Sequence, residues 1–455
     1  MKRREFIKVG ISAAAGSALG ANESNASDSQ NPSNSQDQKH IAWKRQVPVR
    51  YEAEIVVVGG GIAGVSAACA AAKSGARVLL VERFAVTGGM LTTGGVANFC
   101  GQMQHQGEVF DRILADLRKW NALGFGRKKS VFHYEILAII LQELLLRRNV
   151  KLLLHTRFVD ARVNENGRIT EVLVAGKSGV EAIRAKQFID CSGEADLARA
   201  AGFSTIKGSK NSKYQLPMSL MYFVRHVDRE HADPHLPEGW FNPVREKDDL
   251  PMTSIWPDGV GGNAIKIKIP MFDSTDTESL TAAEIQARRR MMEVLDYHQR
   301  VENKNWILDH SSPIIGIREG CRIVGDYILH VDDLRAGRAF DDGVARGTFY
   351  LDGHKPDDDK RTYILPKDQL KVPPYQIPLR SLIARDGENL MMAGRCFSAD
   401  QLALSSARVS TSGSMMGQAA GICAALCVDK NCNPRELDPS DVIKIVKQRG
   451  AKLEV

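Results

Sequence analysis

An α/β fold with a parallel sheet is predicted by three observations near the start of the chain. "IVVV" (Ile55 to Val58) is a continuous apolar, largely β-branched run, as expected of a central parallel strand buried on both faces. It leads directly into Gly59, Gly61 and Gly64 at G-x-G-x-x-G spacing, and then into an Ala-rich stretch from Ile62 to about Lys73 that reads as a helix. A second strand, Ala76 to Val81, ends on the acid Glu82. Strand, glycines, helix, strand and acid together make a Rossmann-like unit.

Each part of that unit suits a dinucleotide. Gly59 permits the tight turn, Gly61 lets a pyrophosphate approach the backbone, and Gly64 lets helix and strand pack closely. The helix N-terminus offers free N–H groups and its dipole to the phosphates. Glu82 is placed to accept hydrogen bonds from a ribose diol and would repel a 2′-phosphate. The unit alone serves NAD and FAD equally.

Composition sets the remaining limits. The 455 residues suffice for two or three domains, and 43% hydrophobic with 25% charged residues is ordinary for a globular protein. The formal net charge is +7, yet no Lys/Arg block is interleaved with aromatics, which argues against nucleic-acid binding. Ahead of the Rossmann-like unit, "KRREFIK" places paired arginines before "VGISAAAGSALGA", an apolar stretch too short to span a bilayer. This resembles a twin-arginine signal over residues 1–26, and predicts a translocase partner and export to the periplasm or cell exterior. Residues 27–50, rich in Ser, Asn, Gln and Asp at their start, read as a disordered linker. The eight cysteines contain no C-x-x-C, so an iron–sulfur cluster in this chain is not expected. Cys423 and Cys427 stand four apart in an Ala-rich helix and read as buried thiols. His231 and His235 flank a proline-containing loop, a poor metal geometry, and no metal site is expected.

The residues after Glu82 separate the two cofactors. "ERFAVTGGMLTTGG" brings Gly88-Gly89 soon after the acid, and this resembles the two-dinucleotide-binding flavoproteins, the glutathione-reductase-like superfamily. Downstream come "LLLHTRFVDARVNENGRITEVLV", a strand and a hairpin turned at Asn166-Gly167, then "IDCSGEAD", where the family pattern usually reads Asp-Ala-Thr-Gly-Asp-Gly-Asp. "NLMMAGRCFSADQLALSSARVSTSGSMMGQAAG" closes the series. The order resembles a bacterial branch of FAD-dependent oxidoreductases related to the flavin part of heterodisulfide reductase, from Glu52 to about Val428.

The resemblance implies one non-covalent FAD held by a Rossmann-like domain built from both ends of the chain, residues 51–202 and 376–430. An α+β substrate domain is inserted at 203–375, and 431–455 is left as a tail. It implies that Gly88 and Gly89, flanked by Arg83 and Met90, pass along the pyrophosphate and ribityl chain. Phe158 and Val159 would pack against adenine, and Gly193 would approach the cofactor by its backbone. Gly394 and Arg395 would lie beside the ribityl and pyrophosphate. The helix from Gly413 through Ala425, with Ser414, Met415 and Met416 in its first turn, would aim free N–H groups at the flavin.

Chemistry beyond the cofactor rests on fewer signals. Arg318 and Arg322 in "GIREGCR" lie four apart, and Arg408 matches an arginine of the family pattern; each is a candidate to clamp a substrate carboxylate or stabilise reduced flavin, against a structural role in ion pairs. His105, His133 and His354 are candidate bases, and Cys100 follows the Gly-rich segment. The expected activity is hydride transfer between a small organic substrate and flavin N5. The alternative is an electron-transfer flavoprotein docking to an iron–sulfur redox partner, and a non-catalytic FAD-stabilised scaffold is more remote still.

Overall fold

The computed structural model describes residues 44–124, 129–209, 214–232, 236–237 and 239–455. The expected signal at 1–26, the linker up to residue 43, and His235 lie outside them. The unit described below runs from Val47 to Val455.

Ile55–Val58 is fully buried because it lies in the middle of a five-stranded parallel sheet, ordered Leu390–Met392, Gln187–Asp190, Ile55–Val58, Val78–Val81, Lys151–Leu153. The second strand begins at Val78, since Ala76 still closes the preceding helix by donating its N–H to Ala71 O (3.3 Å). The Lys151 strand stops at Leu153, two residues before His155 takes a left-handed backbone. The late strand Leu390–Met392 pairs with Gln187–Asp190, so the sheet is completed from the far end of the sequence.

Helix Ile62–Lys73 packs on helix Ser410–Lys430, and the contact explains the glycines of "GSMMGQAAG". A Cβ on Gly417 or Gly421 would sit 2.1 Å from the carbonyl oxygen of Ala63 or Ala67 respectively. These glycines therefore serve helix–helix contact. Ser66 and Ser414 share a buried hydroxyl hydrogen bond of 2.7 Å along the same seam.

A four-stranded sheet, Val49–Glu52, Gly179–Arg184, Ile169–Gly176 and Arg157–Val163, contains the expected hairpin. The inserted lobe has an antiparallel sheet of its own: Thr253–Pro257, Gly262–Ile269, Met218–His226, Trp306–Ser311. Helix Thr277–Arg300 covers it, capped by the Asp276 carboxylate, which accepts from Ser279 N at 2.7 Å. Leu220, Tyr222, Val224, Ile265, Ile267 and Val294 form a core separate from that of the nucleotide unit.

Two expected boundaries move. The lobe with its own core spans Met218 to Ile317, whereas Ile323, Leu329, Val344, Leu351 and Tyr375 belong to the main core. The segment 431–455 is no loose tail. Helix Pro439–Gln448 buries Val442 and Val446, and Arg346 Nη1 donates to Glu454 O at 2.9 Å. Among the described residues no helix is long and apolar enough to cross a membrane.

Candidate functional site

A single cavity is lined by both the glycine-rich loops of the parallel sheet and the inserted lobe. Gly59, Gly61, Glu82, Arg83, Gly88, Gly89, Met90, Gly193, Gly394, Arg395 and Gly413 contribute from the nucleotide unit. Ser219, Met221, Lys266 and Arg318 come from the lobe and its exit, and Asp352 and Arg408 from later in the chain.

The three motif glycines are small for different reasons. A Cβ on Gly59 would lie 2.4 Å from Cys191 O, and one on Gly64 would lie 1.9 Å from Gly59 O. A Cβ on Gly61 would meet nothing within 4 Å. Gly59 and Gly64 thus accommodate protein backbone, while Gly61 faces the cavity and leaves open the space a pyrophosphate needs. This is a cradle that fits FAD. Glu82 holds the cradle together: its Oε2 accepts from Gly60 N (2.7 Å) and its Oε1 from Phe84 N (2.8 Å). Burial pushes its carboxyl up, opposed by those same backbone bonds.

The long helix begins at Ser410, with Val409 as its cap, three residues before the expected start. The N–H groups without helical partners are therefore those of Ser410, Thr411 and Ser412, while Gly413 N already bonds to Val409 O at 2.8 Å. Ser410 and Gly413 line the cavity. Ser414, Met415 and Met416 do not; all three are buried, Ser414 in the seam with the first helix, which corrects their expected place at the cofactor. Val159 is also corrected. It is 50% exposed and off the cavity, at a bulge where the pairing with the next strand shifts between Phe158 and Asp160, and it is Phe158 that lines the cavity. Arg395 Nη1 pairs with the buried Glu194 at 3.0 Å, and Gly193, beside that guanidinium, takes a left-handed backbone (φ +83°) that favours glycine.

Arg318 and Arg322 part company. The segment between them is not helical, so a spacing of four does not place them on one face. Arg322, 1% exposed, is ion-paired with Glu319 and donates to Gly208 O, and it does not line the cavity. Its role is structural. Arg318 does line the cavity, anchored through Nη1 to Pro217 O and Ser219 Oγ, both at 2.6 Å.

Around Arg318 stands a charged cluster that the sequence showed only in part. Arg408 pairs with Asp352 (3.0 Å), and Asp352 also lies 3.2 Å from His354 Nε2. Burial would raise the Asp352 carboxyl, but His354, Arg408 and Arg318 outweigh it and hold it well below the usual carboxylate range. Burial, against the pull of Asp352, lowers His354, so the imidazole is neutral at pH 7; it buttresses Asp352 and does not line the cavity. His105 and His133 do not line it either. Cys100 does, with its thiol raised by burial and by Asp352. Lys266 was missed. Its ammonium is pulled down to about 8 by burial and then by Arg318. The available signal was lysine inside an isoleucine alternation: Lys268, one repeat along the same strand, is only 1% exposed and donates to Lys360 O at 2.9 Å, so the polar face of this strand is covered too.

Among the described residues no group of His, Cys, Asp and Glu is arranged to hold a metal ion, and all eight cysteines are free. No curated protein matches this chain in sequence. Among solved structures, a geranylgeranyl bacteriochlorophyll reductase-like protein from Thermoplasma acidophilum is similar at 15% identity and a TM-score of 0.47, covering 89% of this chain and 85% of the other. The anhydrotetracycline hydroxylase OxyS from Streptomyces rimosus shows 12% identity and a TM-score of 0.44, covering 87% of this chain and 65% of the other. The myxobacterial FAD-dependent halogenase CndH shows 12% identity and a TM-score of 0.44, covering 88% and 79%. The family described as FAD dependent oxidoreductase matches residues 54–448, nearly the whole unit that builds the cavity. The chain belongs to that family: it is an oxidoreductase whose cofactor is FAD.

Proposed function

We propose that this protein is an exported flavoenzyme that transfers hydride between a small organic substrate and FAD. The observation that carries the reading is the meeting, in one cavity, of the nucleotide cradle with a cluster of charged side chains that no nucleotide motif requires. Bound FAD supplies a two-electron acceptor or donor at its flavin N5. The glycine turn and the free N–H groups at Ser410 to Ser412 hold its charged parts, and Lys266, Arg318 and Arg408 are available to orient the substrate. The resemblance of its motifs to the flavin part of heterodisulfide reductase would also allow an electron relay, but a cationic pocket facing the lobe favours a diffusible substrate. The test is anaerobic. Small metabolites are screened against the purified yellow protein for loss of flavin absorbance; if none bleaches it while a reduced ferredoxin-like protein does, the relay is correct.

Export rests on the paired Arg3 and Arg4, and engages the twin-arginine translocase. Replacing both by Lys is expected to leave the precursor in the cytoplasm with its FAD content unchanged. Normal export of that variant would refute this route.

A further inference from the structure

We infer that the substrate is a small organic acid whose carboxylate is held by Arg318 and Lys266 at the lobe side of the cavity. This rests on the oxidoreductase reading above and names its substrate class. Three cations, Lys266, Arg318 and Arg408, line the cavity there against one carboxylate, Asp352. Asp352 is already committed: it takes Arg408 at 3.0 Å, lies 3.2 Å from His354, and accepts from Tyr350 Oη at 3.3 Å. Arg318 uses only Nη1, for Pro217 O and Ser219 Oγ. Its Nε and Nη2 make no hydrogen bond among the described residues, and Lys266 has neither hydrogen bond nor ion pair among them. The cluster therefore carries two positive charges more than it balances. Uncompensated charge away from water is costly, and an anion that enters removes the cost. The unengaged edge of a guanidinium presents two parallel donors, which match the two oxygens of a carboxylate. The lining beside it is apolar at Met221 and Ile317, suited to the carbon skeleton of such an acid.

The groups around Lys266 make binding depend on pH in one direction. It faces Arg318, Asp352, Cys100 and Arg361. Asp352 stays ionised and Arg318, lowered to about 10 by burial and Arg408, stays charged at neutral pH, while Cys100 stays a neutral thiol. Lys266, lowered to about 8, is the group that loses charge first as pH rises. Carboxylate affinity is thus full between the titration of the acid itself, at about 4–5, and that of Lys266, and falls above the latter.

The experiment is a titration of the FAD-loaded protein with acetate, succinate and benzoate, their neutral amides, and inorganic phosphate. Binding is read both from perturbation of the flavin spectrum and by calorimetry, so no turnover is needed. At least one acid is expected to bind where its amide does not. Lys266→Met should weaken that acid by about ten- to a hundredfold, with FAD content and Tm unchanged; Arg318→Met should weaken it as much with FAD content unchanged but with a lowered Tm, because Pro217 O and Ser219 Oγ lose their donor. Lys266→Arg should retain affinity and lose the weakening, about tenfold by pH 9, that wild type shows. Arg318→Lys serves in place of Arg318→Met if the latter fails to fold. Failure of all three acids, equal binding of the amides, tighter binding of phosphate than of any acid, or variants with wild-type affinity would each overturn the assignment. Bleaching by a neutral metabolite without acid binding would remove this inference alone. Acid binding without bleaching by any metabolite would leave the carboxylate site standing and remove its reading as a substrate site, since that reading rests on the hydride-transfer proposal.

Discussion

At the nucleotide end of the cavity much of the wall is glycine loops, strand ends and the helix start at Ser410, with Arg83, Phe158 and Arg395 beside them. At the lobe end it is side chains, with Lys266, Arg318, Asp352 and Arg408 arriving from segments far apart in sequence. A pyrophosphate and ribose are the same in every FAD enzyme, and backbone recognises them without regard to neighbouring residue types. A substrate differs from enzyme to enzyme, and its recognition can change by side-chain replacement while the cradle stays fixed. The contrast separates what holds the cofactor from what chooses the reaction.

The largest test removes the support of the first end. Gly417→Val places a branched side chain where even a Cβ would meet Ala63 O at 2.1 Å, so the two helices must separate. Loss of soluble folded protein is expected, measured as yield and circular dichroism; a normal yield would show that the seam is adaptable. Gly61→Val attacks the cradle without that damage, because its Cβ meets no protein atom within 4 Å. FAD should be absent after purification while the far-ultraviolet spectrum is retained. If the spectrum is lost as well, Gly61 is a packing residue like its neighbours.

Asp352→Asn acts at the other end. It leaves Arg408 with no charged partner and should cost about 3 kcal/mol of stability, read as a lowered Tm with FAD still bound. The sign of its pH dependence follows from its lowered folded value: the ionised carboxylate stabilises above the ordinary carboxylate range, and that contribution is lost as pH falls through the folded value. The difference between wild type and Asp352→Asn should therefore shrink on acidification; a constant difference would place the effect in packing. The finest test compares neighbours. Phe158→Ala should weaken FAD by about tenfold or more if the ring stacks on adenine, whereas Val159→Ala, half-exposed and off the cavity, should change stability by less than about 0.5 kcal/mol. Equal effects would mean that the bulge at Val159 does not decide which side chain meets the base.

The same contrast governs what could be read from the chain alone. Gly59, Gly61, Gly64 and Glu82 lie within one βαβ unit, where local rules fix both conformation and partner. The long helix was legible as a helix, but its start was not, since Val409 supplies no side-chain cap to mark it. Val159 was misplaced for want of the bulge's position. Lys266 carried no local sign of its cover, because the polar face of its strand is covered by remote segments, as Lys268 is by the one that includes Lys360. Arg408 and Asp352, 56 residues apart, meet only after the lobe and main core have formed. No spacing rule spans such distances.

The seam between the first and the last long helices bears on how the protein is made. Translation delivers Gly59 first and Gly413 only about 350 residues later, on the order of 20 to 70 s at ordinary rates of synthesis. For all that time the face of the first helix around Ala63 and Ala67 lacks the glycines that later cover it, and the sheet lacks its Leu390–Met392 strand. Flavin cannot be captured during this interval, since part of its cradle has not yet been synthesised. Cofactor loading is therefore a late event that reports completion of the chain, and a ribosome that stops early releases a colourless product with an uncovered apolar helix.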